Sequence, residues 1–540
     1  MITRDGEIIV DNFSGLNVKG NPLVIDDSEA QIAHNVVISN GAVECRGGFE
    51  QHSTKDVTGG ISMMSNYYKR DGTAQLVFAN DDDYYYITPS NTTWQTIGDY
   101  GTAVANPSAF QYKDVLVFGT GSTSNTPKKW NGATFSNITT PASVNGDLRF
   151  YTQFAGKDIR YIVGAGISAD DATDNITALY YTDDPDNWGA GGVVQIGPQD
   201  GQDITGLIQN NNLVVYKEKA KHYWDSFYEE SSGNFAIREF GVDRTSGSAN
   251  HETLVTVDGD VVALVGKGRS IEGYGLEGTA QGNAKPKQYG TFINPLLNSL
   301  NWQKSIISKA RGIFWDRKLF YSVPYLSSQL NNLLLVGDWD SPTRNMQPSW
   351  VTWSKNIGSM AIFRDENGED QIYFGDALEP VIYRYNPVIY SDNGRGYTRK
   401  WRSKKFSLGR QTIYNDALKI VIEGYMRINT EFILTAIVDG SSQSWLINSN
   451  QLISAGGGGG GYIGDHYVGD EHVGGNGSDT DKFRYQAIAE IPNALRYCKN
   501  IEIEITNSEA GQYWSLDYLS INEKSNFDNV PANHKNLIAL

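Results

Sequence analysis

The feature that most restricts what this chain can fold into is a recurrence. Between about residues 60 and 390 a short apolar or alternating strand leads through a polar turn into a second strand, often beside Trp or Tyr. Seven instances follow one another: 76–79 with 84–87 and Trp94; 115–118 with Trp130; 160–163 with 179–181 and Trp188; 213–216 with 222–224; 261–265 with 271–274; 313–315 with 319–321, 333–336 and Trp339; and 371–375 with 381–385. They start roughly 40–57 residues apart, which is the spacing of four-stranded propeller blades. Stacked sandwiches would produce similar local text, but radial closure explains why so many hairpins recur with no helical cover for their edges. The expectation is an all-β chain with a β-propeller-like domain of about six to eight blades over residues 60–390.

Composition supports this reading. The 57 Gly and 31 Tyr, with abundant Asn and Thr, suit strands and turns, and little of the sequence favours helices. Two cysteines in 540 residues exclude a disulfide framework; Cys45 and Cys498 read as reduced, buried small residues. The opening residues carry charges where a secretory signal needs an apolar run, and no stretch is long and apolar enough to span a bilayer. These features predict a soluble chain made in a cytoplasm, with no membrane-spanning segment.

Residues 1–59 read as a separate N-terminal segment. Within it, residues 27–35 predict one short helix capped by Asp27 or Ser28. Asn40-Gly41 then supplies the two positive-φ residues of a type I′ hairpin between 36–39 and 42–46. After the propeller, 391–523 reads as a β-sandwich of longer strands, among them the alternating Ile501-Glu502-Ile503-Glu504-Ile505. A Gly-rich loop, 455–476, interrupts the sandwich, and 524–540 forms a C-terminal tail.

Charge is uneven. Lys plus Arg total 45 against 62 Asp plus Glu, a net charge of −17, which excludes a surface that wraps nucleic acid throughout. One dense basic run breaks the trend: Arg395, Arg399, Lys400, Arg402, Lys404, Lys405 and Arg410. It is a candidate DNA- or partner-facing surface; a solvated linker and pairing with acidic surfaces of neighbouring subunits are the competing readings. The loop from Gly456 to Gly461, with His466, Asp470 and His472 after it, is a candidate partner-ordered segment. Asp465, His466, Asp470, Glu471 and His472 have the ligand types for a divalent ion, but the surrounding glycines preorganise nothing. Asp81-Asp82-Asp83 and residues 183–188 read as solvated acidic turns.

No GxSxG elbow, Walker loop, HExxH or EF-hand pattern is present, and Gly266-Lys267-Gly268 is a hairpin turn with no helix behind it. The expectation is a protein that is not an enzyme and has no cofactor. Abundant carboxylates and Trp and Tyr platforms keep a glycan-binding or depolymerising reading open as the alternative.

A family comes into view at the opening segment. Asn12-Phe13-Ser14-Gly15-Leu16-Asn17, Pro22-Leu23, Asp27-Ser28-Glu29-Ala30, Asn35-Val36 and residues 41–49 resemble the start of bacteriophage tail nozzle and hub proteins, the tubular tail protein B kind of short-tailed phages. Residues 203–207 before 213–218, and Gly247-Ser248 before 261–268, are similar as well. The resemblance implies a virion tail protein assembled in the host cytoplasm. It implies a ring, typically a hexamer, beneath an adaptor protein, with tail spikes or fibres around it and genomic DNA passing through its central channel. No catalytic residues come with the family.

Overall fold

A computed structural model describes residues 8–101, 106–122, 125–139, 147–155, 160–166, 177–188, 191–198, 200–210, 212–229, 234–274, 287–341, 347–408, 415–417, 419–449 and 482–522. The chain divides into two compact units, one of residues 51–335 and 355–385, the other of 1–50, 336–354 and 386–540.

The first unit is a propeller with seven sheets among the described residues, and each holds one of the seven recurrences. Ile61–Tyr68, Ala74–Asn80, Asp83–Thr88 and Asn91–Asp99 form the first, and four-stranded antiparallel sheets spanning 108–137, 150–195, 204–243 and 255–288 follow. The sixth contains Arg311–Trp315, Lys318–Val323 and Leu333–Asp338, the last carrying the chain out of the unit. The seventh orders Ile357–Arg364, Asp370–Asp376, Val381–Asn386 and, from the beginning of the chain, Gly48–Thr54.

The first strands of the sheets pack side by side. Ile61–Tyr68 touches Ser108–Tyr112, which touches Phe150–Ala155, which touches Ile204–Asn210. The 3-10 turn His251–Thr253 makes the next step, Arg311–Trp315 and Ile357–Arg364 continue, and Ile357–Arg364 returns to Ile61–Tyr68. The ring is therefore closed, and its last sheet is completed by an edge strand from the beginning of the chain.

Burial explains the legibility of the blades. Leu76, Val77, Phe78, Leu116, Val117, Phe118, Val262, Ala263 and Leu264 are fully buried, because a strand inside a blade is covered by the blades on both sides. Aromatic rings pack within and between blades: Trp94 lies edge-on to Phe78 of its own sheet at 4.7 Å, and Tyr84 meets Phe118 of the next at 4.8 Å.

Asp147 is among the polar groups buried in this packing. The Asp147 carboxylate accepts hydrogen bonds from Thr120 N and Oγ1, both at 2.9 Å, and from the Tyr151 hydroxyl at 3.0 Å. Burial outweighs these bonds and pushes its pKa up from 3.8 to about 8. The folded state therefore holds a proton there that the unfolded state has released, so stability falls as pH rises from about 4 to about 8. Asp147→Asn is expected to flatten that part of the curve and to melt above the parent at pH 9; melting temperature against pH for both proteins checks it.

The second unit is built from both ends of the chain. Its large sheet orders Ser349–Trp353, Ala30–His34, Arg399–Ser403, Asn500–Asn507, Glu431–Val438 and Ser441–Asn448. A second sheet orders Ile8–Val10, Tyr518–Ile521, Lys419–Arg427 and Lys482–Glu490, and a third joins Val36–Ser39, Ala42–Cys45 and Ser515–Leu516. Phe432 of the large sheet meets Tyr485 of the second at 5.7 Å and Trp514 at 5.8 Å, which places the sandwich core between them. Ile501, Ile503 and Ile505 face that core and Glu502 and Glu504 do not, as the alternation requires.

Two features differ from the sequence reading. Residues 27–35 form no helix: Ala30–His34 is a strand, antiparallel to Arg399–Ser403 with Ala33 opposite Trp401. Asp26 bonds the backbone and hydroxyl of Ser28 and so closes a turn that precedes the strand. Residues 1–50 also share a unit with 386–540, and do not stand apart from the C-terminal strands. The hairpin turn is as expected, with Asn40 at φ 49° and Gly41 at φ 80°. Cys45 and Cys498 are buried. Among the described residues no helix is long and apolar enough to cross a membrane.

Candidate functional site

The basic run lies on the strand Arg399–Ser403 and its flanks, and pairing decides what each charge can do. Alternation turns Arg399, Trp401 and Ser403 inward. Arg399 is fully buried; it donates to Asn507 Oδ1, to Glu509 O at 2.9 Å and to Tyr390 O at 2.5 Å. Lys400 and Arg402 turn the other way and meet one carboxylate on the adjacent strand: Lys400 Nζ lies 3.0 Å from Glu504 Oε1, and Arg402 Nε donates to Oε2 at 2.6 Å. Lys404 donates to Ile25 O at 2.6 Å and to Asp27 Oδ1 at 2.8 Å, and Lys405 stands 3.8 Å from Glu502. Arg395 is exposed in a turn with Asp392, and Arg410 lies outside the described residues.

The run is thus largely neutralised by its own chain, an arrangement that the three sequence readings did not include. Gly456, Gly461, His466, Asp470 and His472 lie outside the described residues. Among those described, no group of three or more His, Cys, Asp or Glu could hold a metal ion. Asp81–Asp83 is a tight turn with Asp81 at φ 58°, and Asp186 of the 183–188 turn pairs with Lys129.

Removing the carboxylates should unmask the strand. The double variant Glu502→Gln/Glu504→Gln is expected to bind duplex DNA more tightly than the parent at low salt, with the salt slope of binding steeper by roughly 2. A fluorescence anisotropy titration at several salt concentrations reads this.

The opening motif converges elsewhere in the same unit. Asn17 Nδ2 donates to Glu29 Oε2 at 2.7 Å, Glu29 Oε2 also accepts from Asp26 N at 2.9 Å, and the hydroxyls of Ser14 and Ser28 meet at 3.0 Å. Gly15 is required by close approach, since a Cβ there would lie 2.5 Å from Trp350 N. These turns, with Asp11, Asn12 and Asp340, edge an open polar cleft of about 320 Å³.

The densest constellation is around Arg46, whose guanidinium is fully buried. It pairs bidentately with Asp392, at 2.9 Å to Oδ1 and 2.8 Å to Oδ2, and donates to Asn35 Oδ1 at 3.1 Å and Gly47 O at 2.7 Å. The Tyr397 ring lies 3.7 Å from its central carbon, with Phe49 at 5.0 Å and Trp353 at 5.5 Å. Asn35, held at φ 54°, spends its own amide on Ser354 and Thr398 O. Sequence reading quoted Arg46 and Asn35 within the motif without a role; Asp392, 346 positions away, carried no signal that it was their partner.

In the propeller, the starts of the first strands converge on the channel mouth. Asn106 Nδ2 donates to Ser308 Oγ at 3.2 Å, joining the second and sixth sheets, and Arg311 Nη2 donates to Ser62 O at 3.1 Å, joining the sixth and first. What remains between them is a void of about 10 Å³, the size of one water. Side chains at the starts of the first strands thus bond across the ring at this end.

No protein-family model matches this chain, and no curated protein matches it. Solved structures similar to it include YCF48 from Cyanidioschyzon merolae, at 9% identity and TM-score 0.38, covering 63% of this chain and 99% of that one. Virginiamycin B lyase from Staphylococcus aureus is similar at 11% identity and TM-score 0.39, covering 62% of this chain and 98% of that one. Likeness of this looseness carries no residue's role across.

Proposed function

We propose that this chain is a structural component of a bacteriophage tail, a ring-forming nozzle or hub that continues the channel for DNA exit and anchors spikes or fibres. The observation that carries the reading is where the resembling residues lie. Asn12–Asn17, Asp27–Ala30, Asn35 and 41–49 meet in the buried network around Glu29 and Arg46, so the motif belongs to what builds the unit. A motif spent on construction suits a scaffold. In this reading the DNA path lies between copies of the chain, since the propeller's own mouth is crossed by side chains. Net negative charge, and a basic strand whose cations are mostly held by its own carboxylates, suit a wall that DNA slides past.

The glycan reading draws less support. It needs exposed aromatic platforms; none of the twelve Trp is exposed, and among the described residues Tyr425 and Tyr497 are the exposed tyrosines. The test is location: antibody against this chain is expected to label the tail of the phage particle below its head. Label on no part of the particle would sink the proposal, and release of sugar from host surface polymer would replace it with the alternative.

A further inference from the structure

We propose that the channel mouth of the propeller is a binding site for one small inorganic monoanion of the size of chloride. It is formed by Arg149, His251 and Arg311 and joins blades from opposite sides of the ring.

The site is assembled from four sheets. Arg149 precedes the first strand of the third, the His251–Thr253 turn precedes the fifth, Arg311 begins the sixth, and Asn106 lies just before the second. Their side chains line a void of about 10 Å³, room for one water-sized occupant. The guanidinium of Arg311, 6% exposed, donates to the carbonyls of Ser308, Ala310 and Ser62 at 3.1–3.3 Å, so no anion satisfies it. Arg149 lies against the Phe150 ring at 5.2 Å, and no carboxylate among the described residues pairs with it. Glu252 is the one carboxylate lining the void, against two guanidinium groups, so the lining carries net positive charge.

His251 adds a donor. Its Nδ1 accepts from Leu207 N at 3.2 Å, and its ring leans on Phe150 at 5.1 Å, so the neutral imidazole carries its proton on Nε2. Burial, and then the proximity of the two arginines, hold its pKa below the ordinary value, with Glu252 opposing. Burial lowers both arginines as well, and for Arg149 the charge of Arg311 adds to it. Like charges converging on one cavity are stabilised by an anion between them. The small void favours a small anion, and the Asn106–Ser308 bond borders the site.

The experiment compares the full chain in sodium chloride and in sodium gluconate at equal ionic strength. The melting temperature is expected to be higher in chloride by about 2–4 °C, as a ligand that binds only the folded state requires. Chloride-35 NMR lines are expected to broaden with the parent protein. In Arg149→Gln, which leaves Arg311 and its carbonyl contacts in place, both effects should fall away. Equal melting in the two salts without broadening overturns the proposal, and so does a chloride effect of unchanged size in Arg149→Gln. Neither outcome bears on the tail reading, because the site lies within one propeller.

Discussion

Arg46→Ala is expected to cost about 3–5 kcal/mol of folding stability, the loss that follows when one partner of a buried ion pair is removed. The guanidinium is fully buried, and it satisfies Asp392, Asn35 Oδ1 and Gly47 O together while lying between the Tyr397, Phe49 and Trp353 rings. Deleting it strands the Asp392 carboxylate and opens a hole between three aromatic groups. Arg46→Lys retains the charge but not the fork, so it should recover only part of the loss. Urea unfolding followed by tryptophan fluorescence measures both, because Trp353 belongs to the cage. A change below about 1 kcal/mol for Arg46→Ala would mean that the network is incidental to stability.

A larger effect is expected from removing residues 1–54. The seventh propeller sheet takes its edge strand from Gly48–Thr54, where Ser53 Oγ also accepts from Trp94 Nε1 at 2.7 Å. Without that strand the ring has an open edge, and the other unit loses Ala30–His34 from the middle of its large sheet. The truncated chain should lose its cooperative thermal transition, and trypsin should degrade residues 55–335 at least tenfold faster than in the parent, as roughly 1.4 kcal/mol or more of lost stability gives. Parent-like protease resistance of that region would show that the ring does not need its closing strand.

The two variants also mark what could be read from the sequence. The seven recurrences were legible because a hairpin is local: in 115–118 and 261–265 the apolar run and its turn are adjacent in the chain, and burial on both faces makes each run conspicuous. The turn at Asn40-Gly41 was legible for the same reason. Residues 27–35 were misread because their capping text is local while the force that decides their structure is not. Ala30–His34 is a strand because Arg399–Ser403 and Ser349–Trp353 lie beside it, more than 300 positions away in sequence. The basic run repeats the lesson. Cationic density is visible in one dimension, whereas Glu504 comes opposite Arg402 only once the strands pair. The acidic alternation at 501–505 signals a strand, and only the fold shows that its carboxylates meet Lys400, Arg402 and Lys405. The channel-mouth residues left no local trace, because Arg149, His251 and Arg311 are brought together only by closure of the ring.

The most direct test of a ring-forming tail protein is the native mass of the purified full-length chain across a concentration series. A closed assembly of identical copies is expected, six if the resemblance holds in this respect, and particle images should show the ring around a central opening lying between the propellers. A chain that stays at 59.7 kDa at every concentration, and is absent from phage tails, would contradict the proposal outright.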